Sequence, residues 1–116
     1  MNYTSILTSN NLFGVFELDK SGTIHYFGAG QNGTLHMSEP DLAGRNFFYD
    51  AASFKNIDEF QWRFKSFVST SAASDSFDFK FKFYERAAKV KVMFLRVHQR
   101  DFDGNSEMII ADIREI

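Results

Sequence analysis

The chain has 116 residues, 15 of them phenylalanine, no cysteine, and a net charge of −2. That length holds one domain with one core. The missing cysteine excludes disulfides, thiolate catalysis and thiolate metal ligation. Lys and Arg are spread along the chain, which gives no footprint for nucleic acid, and no apolar run approaches a membrane span.

Residues 1–12 are polar apart from Ile6, Leu7 and Leu12 and read as a flanking segment with one short helix. They lack the basic patch and long apolar stretch of a secretion signal, so the expected location is the cytoplasm. Residues 14–19 (Gly-Val-Phe-Glu-Leu-Asp) predict a strand, residues 19–22 (Asp-Lys-Ser-Gly) a turn, and residues 23–27 the returning strand. Residues 28–44 hold four glycines and the single proline, which predicts irregular loop with one helical turn near 38–42. Asn56 followed by Glu59 reads as a helix cap with the reciprocal partner of a capping box. Ile57, Phe60, Phe64, Phe67 and Val68 then share one helical stripe.

Residues 69–76 read as a loop. In residues 76–83 four phenylalanines, Phe77, Phe79, Phe81 and Phe83, alternate with Asp78, Lys80 and Lys82. Side chains alternate between the faces of a strand, so this is a half-buried strand with an aromatic core face. Two more strands are predicted at 88–99 and 108–115, joined by an Asp103-Gly104-Asn105 turn. Strands segregated from helices give an α+β class with an antiparallel sheet. In the last two strands both faces are apolar, with Met93, Leu95 and Val97 opposing Val90, Val92 and Phe94, and Ile110 opposing Ile109 and Ala111. Such strands are covered on both sides. The cover is either the N-terminal segment or a partner subunit or second domain, and both can hold together.

These words, in this order, resemble a PAS domain, and among PAS domains the photoactive yellow protein branch. The resemblance rests on Gly14-Val15-Phe16-Glu17-Leu18-Asp19, on Ile24-His25-Tyr26, and on Leu42-Ala43-Gly44-Arg45-Asn46-Phe47-Phe48. Glu59-Phe60, Arg63-Phe64-Lys65 and Lys89-Val90-Lys91-Val92 continue it. It runs over residues 13–116, with one extra residue in the 28–33 loop. It implies one domain with a five-stranded antiparallel sheet, short helices packed on one face, and a pocket between them.

In that branch a cysteine six residues after the second Phe of the Asn-Phe-Phe word holds a cinnamic-acid pigment by a thioester. Six residues after Phe48 stands Phe54, so covalent photochemistry is not available to this chain. The resemblance carries a phenolate-binding tyrosine onto Tyr26, a buried acid onto Gln31 and a threonine onto Thr34. With Phe54 these form the expected ligand pocket. Glutamine donates a hydrogen bond but does not cycle a proton, which suits neutral recognition.

Other chemistry is poorly represented. His25, His36 and His98 are far apart, and structural or surface roles account for them. The stripe-bearing helix has no histidine, which leaves heme only His36 or another unusual ligand, and the flavin branch needs an Asn-Cys-Arg-type word that is missing. The glycines at 28–33 lack the lysine of a phosphate loop. Asp101, Asp103 and Glu107 do not fit a calcium loop, and no nucleophile elbow is present. The expectation is therefore a non-enzymatic signalling module with no cofactor, contacting neither nucleic acid nor membrane. It would dimerise, or dock another signalling protein, through Met93, Leu95, Val97 and Ile110. The alternative is a sensor of a small, flat, apolar ligand. The chain's ends fit either a free-standing domain or the sensory end of a longer protein.

Overall fold

The computed structural model describes residues 13–29, 43–51, 54–101 and 104–116. The expected N-terminal cover, the helical turn near 38–42, Gln31, Thr34, His36 and Asp103 lie outside the described residues. Five strands form one sheet: β1 (Gly14–Leu18), β2 (Ile24–Ala29), β3 (Ser74–Lys82), β4 (Ala87–Asp101) and β5 (Gly104–Glu115). Their order across the sheet is β2-β1-β5-β4-β3, and every neighbouring pair is antiparallel. A single π-helical turn (Phe47–Ala51) and helix α1 (Ile57–Val68) pack on one face.

Period-2 alternation builds the core wall. Phe16 and Leu18 of β1, Val90, Val92 and Phe94 of β4, and Ile109, Ala111 and Ile113 of β5 are buried on the face toward α1. The helix answers with Phe60, Phe64 and Phe67, whose three- and four-residue spacing puts them on one stripe. Phe60 sits at the centre, with ring centroids 5.1 Å from Phe81, 5.3 Å from Phe79 and 5.8 Å from Phe94. Phe81 and Phe83 are buried, whereas Phe77 and Phe79 are only partly so.

Every strand has a boundary that differs from the sequence expectation: β1 ends at Leu18, β2 runs from Ile24 to Ala29, and β4 begins at Ala87. β3 starts two residues early and ends at Lys82, leaving buried Phe83 just past it. β4 and β5 pair as far as Asp101 and Gly104, so Gly104 and Asn105 belong to β5 and not to the turn. A two-residue connection suffices for a hairpin, and each added pair extends the ladder.

Asn56 does not cap α1 through its side chain. Its Nδ2 donates to the Lys80 carbonyl (2.7 Å) and its Oδ1 accepts from the Lys82 N–H (3.0 Å), while the Lys55 N–H donates to the Lys82 carbonyl (2.7 Å). The turn into the helix is thereby tied to β3. A backbone pair on a neighbouring strand supplies both a donor and an acceptor, which a helix terminus does not, and the amide side chain matches both.

The first hairpin turn depends on Gly22. Its φ is +93°, and a Cβ there would lie 2.7 Å from the Phe48 ring. Its carbonyl accepts from the Phe47 N–H (2.9 Å), so the turn and the π-helical turn hold each other.

Candidate functional site

Two places on the sheet bear on function: the hollow between the sheet and α1, and the opposite, outer face. In the hollow, Phe54 is 3% exposed and packs on Phe81 (4.5 Å), Phe83 (5.8 Å) and Phe60 (6.3 Å). Phe47 and Phe48 join from the π-helical turn, edge-on to one another at 5.1 Å. Ring pairs at these separations prefer such tilted and edge-to-face contacts. The hollow is thus occupied by phenyl rings. Among the described residues its lining is apolar, and no buried side-chain polar atom lacks a hydrogen-bond partner.

Tyr26 is not part of this lining. It lies on the outer face, 47% exposed. The reason is a bulge in β2: Leu18 pairs with Ile24 but Glu17 pairs with Tyr26, so His25 is the extra residue. Ile24 and Phe27 stay in the core, while His25 and Tyr26 both turn outward. One added residue reverses the side-chain alternation beyond it. Tyr26 instead covers Gly28, where a Cβ would meet its ring at 3.3 Å. Tyr26 and Phe54 therefore occupy opposite faces, and Gln31 and Thr34 lie outside the described residues.

His25 contacts the Asp19 carboxylate (3.3 Å), and Asp19 Oδ1 also accepts from the Ser21 N–H, the Ser21 hydroxyl and the Thr23 N–H. Burial opposes ionisation of Asp19, but these hydrogen bonds outweigh it and hold the carboxyl below its ordinary value. The arrangement closes a hairpin turn. Among the described residues no group of three or more His, Asp or Glu side chains could hold a metal ion.

The outer face carries the second place. Leu95 stands directly opposite Ile110, Val97 opposite Met108, and Met93 opposite Asp112. Met93 and Leu95 are each 40% exposed, Val97 and Ile110 are half-buried, and Met108 is 5% exposed although it is not part of the core cluster. The four residues expected from the sequence at a contact surface thus form one contiguous group on β4 and β5. Val15 of β1 adjoins it through Asp112, which holds Arg114 (3.1 Å).

Sequence reasoning passed over Arg96. On the core face of β4, its guanidinium donates to the carbonyls of Phe67 (2.7 Å), Thr70 (2.9 Å) and Ala72 (3.0 Å), and to Glu107 of β5. It also lies over the Phe67 ring at 4.7 Å. It fastens the end of α1 to the sheet, and a charged residue among Phe94, Leu95 and Val97 was the available signal.

No protein-family model matches the chain. It is 34% identical over 80 residues to the photoactive yellow protein of Halochromatium salexigens, covering 69% of this chain and 64% of that protein. It is 33% identical over 84 residues to that of Rhodothalassium salexigens, covering 72% and 67%. The matched stretch thus spans about two thirds of those relatives' length, and just under that in the first. Among solved structures it is similar to the photoactive yellow protein domain of the sensor histidine kinase Ppr from Rhodospirillum centenum. That likeness has a TM-score of 0.60 at 25% identity and covers 87% of this chain and 83% of that one. The PAS domain of an HTR-like protein from Haloarcula marismortui shares the fold, with a TM-score of 0.56 at 18% identity over 96% and 85% of the two chains. The chain belongs to the photoactive yellow protein family of PAS domains, and it lacks the chromophore-binding cysteine.

Proposed function

We propose that this chain is a non-photoactive PAS signalling module of the cytoplasm that works through contacts of its outer sheet face, as a homodimer or with another signalling protein. The observation that carries this reading is the exposure of Met93 and Leu95 on the interior strand β4, beside Ile110. Contiguous apolar surface of this kind marks contact sites. The hollow supports it too, because Phe54, at the position the resemblance gives to the pigment's cysteine, is buried against Phe81. No catalytic role is proposed for any residue.

Met93→Glu and Leu95→Glu test the reading. Each is expected to lower self-association or partner capture at least tenfold in sedimentation and pull-down assays, with the circular dichroism unchanged. Unaltered association in both variants overturns it. The competing reading is a small, flat, apolar ligand in the hollow. One structural neighbour is the Cronobacter turicensis RpfR quorum-sensing receptor PAS domain in complex with C12:0, but at 15% identity that likeness shows the fold alone. The ligand reading requires Phe54 to leave the space its ring fills. A bound mass in native mass spectrometry of protein from its own host, or a visible absorption band, would favour it.

A further inference from the structure

β3 is an edge strand of the sheet. The Ala73 carbonyl accepts the Arg96 N–H from β4, whereas Lys80 and Lys82 bond to Asn56 and Lys55 on the other side. Bonding alternates between the two sides of an antiparallel strand, so the even-numbered residues of β3 direct their backbone groups off the sheet. The N–H and C=O groups of Ser74, Ser76 and Asp78, with the Lys80 N–H, lie in that row. Among the described residues they have no hydrogen-bond partner. Such a row is a template for another strand. Asn56 and Lys55 end it by occupying the Lys80 carbonyl and both groups of Lys82.

A groove of about 760 Å³ runs beside this edge, between β3 and the first turns of α1. Trp62, Phe79 and Arg63 stand there with the carboxylates of Asp58, Glu59 and Asp78, so an added strand must present apolar groups and not acidic ones on this side. Trp62 is 68% exposed and Phe79 half-buried. Apolar side chains of an added strand would meet them. On the opposite face, Lys80 stands directly across the ladder from Lys89, with Lys82 and Lys91 alongside. Like charges directly opposed are destabilising. Asp78, the one carboxylate on that face of β3, reaches Lys91 at 3.8 Å. Among the described residues Lys80, Lys82 and Lys89 have no carboxylate partner.

We propose that the free edge of β3, residues 74–80, docks an extended acidic segment of a partner protein as a sixth strand. Alternate side chains of that segment face the Trp62–Phe79 groove as apolar groups and the lysine face as carboxylates. Main-chain bonding supplies affinity in such strand addition, and the alternating pockets supply specificity. The lysines share the outer face of the sheet with Met93 and Leu95, which stand directly across the ladder from Ser76 and Ser74. The main-chain bonding of the added strand is at the β3 edge and not on that face.

The test uses two capped eight-residue peptides, one alternating Glu with Val and Phe, the other its Lys counterpart. The acidic peptide is expected to slow amide exchange at Ser76, Asp78 and Lys80 and to bind at least tenfold more tightly than the basic one. Ser76→Pro removes an edge N–H without touching the β4 ladder and is expected to abolish binding. Lys80→Glu combined with Lys82→Glu, a surface change that serves if the proline variant does not fold, is expected to weaken it at least tenfold. Absence of protection, equal binding of both peptides, or concentration-dependent protection without peptide (the edge then pairing with a second copy) overturns the proposal.

Discussion

The ring of Phe54 lies 4.5 Å, centroid to centroid, from the ring of Phe81, so a residue from the turn before α1 fills the wall of the hollow against β3. Phe54→Ala leaves a void that the surrounding rings close only in part, and a loss of about 3–5 kcal/mol is expected in denaturant melts. The alternation of β3 sets Phe79 on the same aromatic face as Phe81, but it is half-buried at the sheet edge. Phe79→Ala should cost less, about 1–2 kcal/mol. Equal losses for the two variants would contradict the packing described.

Asn56→Ala removes both links between the helix entry and β3 and leaves the Lys82 N–H without its acceptor. The expected loss is about 1–3 kcal/mol. Asn56→Ser, a good helix cap, should not restore it, because a hydroxyl does not span both bonds. Full recovery in the serine variant would return Asn56 to a capping role.

Gly22→Ala places a methyl group 2.7 Å from the Phe48 ring at a φ of +93°. Both the left-handed backbone and the contact oppose it, and a cost of about 1–3 kcal/mol is expected. Thermal melts of the variant check this. An unchanged melting temperature would show that the hairpin and the π-helical turn are not coupled there.

Glu107 accepts from Arg96, and this hydrogen bond, against the opposing effect of desolvation, holds its carboxyl below the ordinary value of 4.5. A carboxylate with a depressed pKa in the fold stabilises above its unfolded value. As pH falls, the unfolded chain takes up the proton first, so stability drops through 4.5 and below. Glu107→Gln should be less stable near neutrality and lose less between about pH 6 and about pH 3 than the wild type. Parallel pH–stability curves for the two proteins would rule out this contribution.

Much of the fold was legible in the residues. The Phe stripe of α1 and the alternation in β3, β4 and β5 identify the faces, because a half-buried element must repeat at its own period. The outer-face group of Met93, Leu95, Val97 and Ile110 was legible for the same reason, as both faces of those strands are apolar. Tyr26 was misplaced because a bulge shifts side-chain parity without leaving a sign in composition: His25-Tyr26-Phe27 reads equally well either way round. The roles of Asn56 and Arg96 were hidden for a different reason. Their partners, at Lys80 and Lys82 and at Phe67 and Glu107, lie eleven or more residues away, where local spacing says nothing.

The amino-acid sequence by itself determined the α+β class, the segments that become α1 and the five strands, and the exclusion of a thioester pigment, since these follow from periodicity and from which residue types exist. Only the tertiary structure decided which rings close the hollow, which side of the sheet Tyr26 faces, and that β3 stands at the edge with Lys80 opposite Lys89. Those outcomes depend on strand order, on register and on a one-residue bulge. All three are set by the summed packing of distant segments and not by any local preference of the chain.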